Sequence, residues 1–176
     1  MIFKGVTNID LDFILKYAKS KNTIGKYEAL PFIHLPYGIV KKDLPALLKQ
    51  EEILKAVNLV MRVNNADFNA ENYQENEIIP FILYIKEQME FIQKIELENL
   101  QSDPDPEMIA SGINRLNEFG ELVTIDNLAK GDILRYKEIE ALPYFEVYQK
   151  LKLDKVQREI ERNYQKIMED KIKQKR

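Results

Sequence analysis

Residues 102–152, SDPDPEMIASGINRLNEFGELVTIDNLAKGDILRYKEIEALPYFEVYQKLK, hold most of the start and stop signals of this chain, and those signals are helical. Asp105 before Pro106 reads as an N-cap with a first-turn proline. A short acidic side chain satisfies free N–H groups there, and proline has none to leave unsatisfied. Ile109, Ile113, Leu116 and Phe119 then share one face, and Gly120 stands where a cap glycine belongs, so the spacing predicts one helix over 106–119. Thr124 suits the cap of a second segment that runs to Ala129 and ends at Gly131. Asp132 suits the cap of a third, 133–141, on which Ile133, Tyr136 and Ile139 are helically spaced. Leu142-Pro143 breaks that helix and starts another, because a residue before proline is pushed to extended backbone while proline itself suits a helix's first turn.

The rest of the chain follows the same period. Residues 9–19 put Leu11, Ile14, Leu15 and Ala18 on one face, with Asp10 and Asp12 near the positive helix end. A polar turn follows over 19–26, and Pro31, Pro36 and Pro45 then allow only short helical pieces. Over 51–63, Ile53, Ala56, Val57, Val60 and Val63 form a buried stripe that Asn64 and Asn65 end. Residues 66–76 are a polar loop that Phe68 and Tyr73 pin to the core. Ile78, Ile82, Ile85, Met89 and Ile92 mark a long core helix over 78–100, widened by Phe81, Phe91 and Ile95, with Pro80 in its first turn. Residues 143–172 make a second long helix, ~45 Å at 1.5 Å per residue. Its first half carries a broad apolar face of Tyr144, Phe145, Val147, Tyr148 and Leu151. Its second half keeps only a seam of Leu153, Val156, Ile160, Tyr164 and Ile167 between charges. The expected fold is all-α: a single helical domain over 1–176, with an N-terminal helical part (1–75), a central core (76–152) and a projecting helix end (153–176). No two-residue hairpin signal joins alternating runs, so no sheet of three or more strands is expected.

At 176 residues and 45% apolar content, one compact domain with a real core is the natural size. No run of 18 apolar residues occurs, and the start, MIFKGVTNIDLDF, lacks the order of a secretory signal, which points to a cytoplasmic protein away from membranes. Cysteine is absent, so disulfides and thiolate metal sites are excluded. The net charge of −3 hides an asymmetry: residues 151–176 carry nine Lys or Arg against five Asp or Glu, leaving seventeen against twenty-four for residues 1–150. A lysine-rich helix end complements its own macrodipole, and this reading is preferred to a nucleic-acid patch. The alternative function is a small nucleic-acid-binding regulator that uses the basic C-terminal helix. A helix-turn-helix reading of TIDNLAKGDILRYKEIEAL fails on charge, because Glu138 and Glu140 would face a polyanion beside only Arg135 and Lys137.

Chemistry is scarce. The one histidine, His34, lies in an apolar, proline-bounded run and reads as a buried or half-buried structural residue; Ser20, Ser102 and Ser111 stand in no nucleophile turn. Asp103, Asp105 and Glu107 alternate as in a calcium loop, but Met108 replaces the required glycine and two prolines stiffen the run; DNLAKGD fails because Leu128 replaces a ligand. Glycines are scattered singly, so no phosphate loop exists. The expectation is no catalytic residue, no cofactor, no metal, and no enzyme.

One internal echo is visible: EALPF at 28–32 matches EALPY at 140–144, and LPYGIV at 35–40 shares LPY-x-x-V with LPYFEV at 142–147. The flanks do not align, and Leu-Pro-aromatic is a good start for any buried helix, so convergence is preferred to a repeat fold. The run GINRLNEFGELVTIDNLAKGDILRYKEIEALPYFEVYQKL, with its GI-x-RL-x-x-FG, IDNLA-x-GD and LPY-x-x-V elements, resembles small helical proteins encoded among the morphogenesis genes of tailed bacteriophages and prophages. The likeness spans about residues 76–170. It implies a tail-assembly chaperone or minor virion component, acting in the host cytoplasm or in the virion, with other tail or head proteins or a copy of itself as partner. It carries over no catalytic residue. Two destinations are open to the seam of Leu153, Val156, Ile160, Tyr164 and Ile167, whose steps of three and four lie close to the 3.5 repeat of packed helices. It folds back along the 78–100 helix, or it binds a partner.

Overall fold

Helices carry the fold, and the prolines set where they turn. The structure, a computed structural model, describes residues 19–101 and 106–174; the helix expected over 9–19 and the caps and acidic pairs at Asp103 and Asp105 lie outside the described residues, Lys19 excepted. The expected polar turn over 19–26 is a small antiparallel hairpin, β1 (Thr23–Ile24) and β2 (Tyr27–Glu28), with Thr23 opposite Glu28 and Ile24 opposite Tyr27. Gly25 takes φ +56° at the first position of its two-residue turn, where a Cβ would also sit 2.8 Å from the Tyr73 ring.

Pro31 opens a 3-10 turn, Phe32–His34. After Pro36 the chain is helical through a π-turn, Ile39–Asp43, into α1 (Leu44–Lys49). In the π-turn the Leu44 N–H donates to the Ile39 carbonyl five residues back. Pro45 gives the reason: it has no N–H for the Lys41 carbonyl and its ring crowds that oxygen, so a wider turn relieves both problems. α2 (Ile53–Met61) buries Ala56, Val57, Val60 and Met61, and the Asn65 amide donates to the carbonyls of Met61 and Glu28 just past its end. In the loop that follows, Phe68 is fully buried, edge-on to Tyr27 at 5.4 Å and stacked on Tyr73 at 5.5 Å.

α3 (Glu75–Asn99) is the long core helix. It starts three residues before the apolar pattern because Glu77 accepts the Gln74 backbone N–H at 3.3 Å, so Pro80 lies in the second turn rather than the first. Ile78, Phe81, Ile85 and Ile92 are buried as their spacing demands. Phe91 is exposed, against expectation, since it lies about 100° round the helix from Ile92 and no described element packs there.

The single helix expected over 106–119 is two pieces. α4 (Pro106–Ala110) ends as Gly112 enters the left-handed region at φ +87°, and a 3-10 stretch, Ile113–Phe119, follows up to Gly120. The apolar period is real, but a glycine at its centre offers a costless exit from the helix. Ile109, Leu116 and Phe119 consequently remain exposed, and Ile113 is only half-buried. α5 (Leu122–Ala129) begins ahead of Thr124, which is therefore inside the helix and not its cap. It closes with the Gly131 N–H on the Asp126 carbonyl and the Lys130 N–H on that of Asn127, leaving Lys130 left-handed at φ +57°. Asp132 caps as expected, accepting the Leu134 N–H at 3.0 Å, ahead of a 3-10 turn, Ile133–Arg135, and α6 (Tyr136–Ala141). Ile139 is buried and the Tyr136 hydroxyl donates to Asp126, tying α6 to α5; Ile133 stays exposed. After Leu142-Pro143 comes α7 (Tyr144–Gln174), 31 residues, ~46 Å. The fold is all-α around one core, with a long C-terminal helix that partly projects. Among the described residues no helix is long and apolar enough to cross a membrane.

Lys130 holds a conformation that costs a side-chain-bearing residue about 1 kcal/mol. Lys130→Gly should therefore stabilise the chain by about that amount, read as a higher denaturant midpoint at unchanged slope; a lower midpoint would contradict this account of the α5 end.

Candidate functional site

The two copies of Leu-Pro-Tyr-x-x-Val meet each other. Leu35 and Leu142 are both extended, as a residue before proline should be, with ψ of 153° and 145°. The Tyr37 N–H donates to the Leu142 carbonyl and the Tyr144 N–H to the Leu35 carbonyl, each at 2.8 Å, with Pro36 opposite Pro143. The exchange is symmetric, and it continues into the side chains. The Tyr37 and Tyr144 rings stack at 6.2 Å, Tyr148 stacks on Tyr144 at 6.1 Å, and Val40 and Val147 are buried one turn on. Gly38 stands so close to α6 that an added Cβ would meet Glu140 Cβ at 3.0 Å.

A polar ring closes this clasp. The Tyr37 hydroxyl donates to Glu121 at 2.7 Å and the Tyr144 hydroxyl to Glu96 at 2.8 Å, while Lys41 Nζ lies 2.6 Å from Glu96 and 3.3 Å from Glu121. Burial first, then the charge of Glu121 and the hydrogen bond to it, holds the Tyr37 hydroxyl far above the ordinary tyrosine range; burial and then Glu96 do the same for Tyr144. Burial alone would lower the Lys41 ammonium, but its hydrogen bond to Glu96 and the charges of Glu121 and Glu96 outweigh that and raise it. A hollow of 440 Å³ opens beside the ring, lined in part by Leu97, Leu100, Thr124 and Leu151. Each charged group of the ring already has its partner within the ring, so the arrangement's evident capacity is to hold four segments together.

What it holds is the root of α7. Tyr144, Val147 and Tyr148 are buried and Leu151 is partly so, whereas Phe145, expected on the same face, is exposed because it points away from the clasp. Among the described residues Lys155 makes the last hydrogen bonds to the body, donating to the carbonyls of Asn99 (3.1 Å) and Gln101 (2.8 Å) at the end of α3, where a cation suits the helix's negative pole. Every residue from 156 to 174 is then exposed. The five seam residues Leu153, Val156, Ile160, Tyr164 and Ile167 expose between 44 and 63% of their surface, so the seam does not fold back on α3. Met168 and Ile172 are exposed as well, one and two turns past Tyr164, but each step of four carries them about 40° further off the line of that seam.

No family model, curated protein or solved structure matches the chain. Its own residues therefore carry the reading. His34 is exposed at the end of its 3-10 turn, not buried or half-buried as expected, because Phe32 and Leu35 on either side take the core positions. Ser20 donates to Glu87 and Ser111 to the Met108 carbonyl; Ser102 lies outside the described residues. Among the described residues no group of three or more His, Asp or Glu is placed to hold a metal. An apolar groove of 490 Å³ runs between α1, α2 and α3, over Leu48, Val57, Ile82 and Met89. Sequence reasoning missed Lys41, Glu96 and Glu121 altogether; its one pointer to them was the repeated LPY-x-x-V.

The raised hydroxyls give a pH signature with a definite sign. An unfolded tyrosine ionises near pH ~10 while Tyr37 and Tyr144 in the fold do not, so their contribution is complete below that pH and is lost above it, each by up to about 1.4 kcal/mol per unit. Unfolding free energy should fall above about pH 10, and the Tyr37→Phe/Tyr144→Phe chain should show a shallower alkaline decline. An unchanged decline would mean that the clasp hydroxyls are not held neutral.

Proposed function

We propose that this chain is a non-enzymatic assembly protein that works through protein–protein contacts, with the exposed seam of α7 engaging a helix of its partner. One observation carries the reading: a helix rooted in the core by a clasp continues for five turns beyond its last contact with the described body, and keeps an exposed apolar stripe as far as Ile167. An isolated helix of this length is marginal in water, and contiguous exposed apolar surface on a folded chain marks contact sites. Leu153, Val156, Ile160, Tyr164 and Ile167 would supply the contact, and the flanking Lys155, Arg158, Glu159, Glu161, Arg162 and Lys166 would set orientation through mixed charge. Such interleaved carboxylates suit a protein helix better than a phosphate backbone, which supports this reading over the nucleic-acid alternative.

Within that class, the resemblance of about residues 76–170 to tailed-phage morphogenesis proteins supports a tail-assembly chaperone or minor virion component, acting in the host cytoplasm or in the particle. Its partners would be other tail or head proteins, or a second copy of the chain. Deleting residues 153–176 should leave a cooperative melt within a few degrees of the full chain and abolish co-purification with the proteins encoded beside it. A truncated chain that still co-purifies with them would place the contact elsewhere, and one that fails to fold cooperatively would return the seam to the core.

A further inference from the structure

The seam reads the same in both directions. Leu153, Val156, Ile160, Tyr164 and Ile167 are separated by three, four, four and three residues, a palindrome centred on Ile160, and all five are exposed on one uninterrupted helix. We infer that α7 pairs with α7 of a second copy, antiparallel, with Ile160 on the two-fold axis. The inference rests on the seam being a contact surface, as proposed above, and names the occupant of that surface.

A two-fold interface must be complementary to itself: if one residue meets a second across it, the second must also meet the first. Most apolar stripes fail this test when reversed, because their steps of three and four fall out of phase. Here the reversed stripe superimposes. Leu153 comes level with Ile167 of the second copy, Val156 with Tyr164, and Ile160 with itself, which is the layered packing of an antiparallel helix pair. The charges agree with this direction. Lys152 and Asp170 lie on the same flank of the seam, and in the antiparallel pair each falls within one turn of the other's counterpart, twice over by symmetry; Lys166 of the second copy comes as near along the axis but lies about 40° further round from the seam. Glu159 and Glu161, one residue to either side of Ile160, are the like-charged groups nearest the axis, and both are set wide of the seam where water screens them. In a parallel pair, by contrast, Lys166 would face Lys171 of the second copy. The antiparallel pair also sends the two bodies to opposite ends of the joined helices, leaving their clasps apart.

The chain has no cysteine, so a single introduced cysteine can carry a spin label without ambiguity. Arg158 and Lys173 both point away from the seam. The full chain should sediment as a dimer. Labels on Arg158→Cys should then lie offset along the helix axis by only about 6 Å, and labels on Lys173→Cys by about 39 Å, at 1.5 Å per residue. Ile160→Glu should weaken association at least tenfold with the melt of the body unchanged, since Ile160 is exposed beyond the last contact of α7 with the described body. Lys152→Glu should weaken it severalfold, and adding Asp170→Lys should restore it. Two short label distances would mean a parallel pair and overturn the inference while leaving the seam as the contact surface. A dimer indifferent to Ile160→Glu would place self-association on another face and overturn it too. A chain that stays monomeric overturns self-pairing. If deletion of 153–176 then still abolishes partner co-purification, the seam serves a different protein; if it does not, the functional reading fails as well.

Discussion

Two backbone hydrogen bonds, exchanged between Leu35 and Tyr144 and between Tyr37 and Leu142, are what the rest of the molecule depends on. Each Leu-Pro-Tyr supplies one extended residue, one proline that cannot donate, and one tyrosine whose N–H is still free before the helix takes over. Proline does two jobs in this arrangement. It forces its predecessor into the extended backbone that pairing needs, and it starts a helix in the next residue. Two such elements brought face to face can bond only at their flanking residues, so the contact is short, two-bonded and fixed in register. It joins residues more than a hundred positions apart and determines the direction in which α7 leaves the body.

The polar ring adds to this what a purely apolar contact could not. Glu96 comes from α3, Glu121 from the start of α5, Lys41 from the π-turn, and the tyrosines from the two clasp elements. Buried hydroxyls would be costly without acceptors, and two neighbouring carboxylates would repel without the ammonium between them. Each group answers the need of the next, so displacing one segment disturbs all of them. The π-turn also belongs to this logic. Pro45 compels a widened turn, and the turn contains Lys41, the residue that bridges the ring.

The helical class, the long helices over 75–99 and 144–174, the Asp132 cap and the corner at Leu142-Pro143 were all legible, because period, caps and prolines are local properties. What could not be read was whether an apolar face has anything to cover it. Ile109, Leu116 and Phe119 have the spacing of a core stripe and are exposed; Phe91 and Phe145 sit near buried neighbours and are exposed as well. Periodicity reports the direction of a side chain and not the presence of a partner. Gly112 and Lys130 show a second limit: a glycine inside a periodic run can break it, and a lysine can take the left-handed cap beside a glycine that looks better suited. The clasp was visible as a repeated motif, but no local rule says that two copies of a motif touch. The seam was legible as a stripe, and its exposure became a fact only once the body was seen to end at Lys155.

The clasp roots α7 in the core, and beyond Lys155 the helix carries only exposed side chains among the described residues. Hydrogen exchange resolved to single amides, measured on the Ile160→Glu chain so that no second copy shields the helix, tests this most directly. The Tyr37 and Tyr144 amides should exchange only with global unfolding, and amides from 158 to 172 should exchange by local fraying at far lower free energy. Equal protection along the whole of α7 in that monomer would show that the helix is packed on its own body, and rapid exchange at Tyr37 or Tyr144 would show that the clasp is not what holds the fold together.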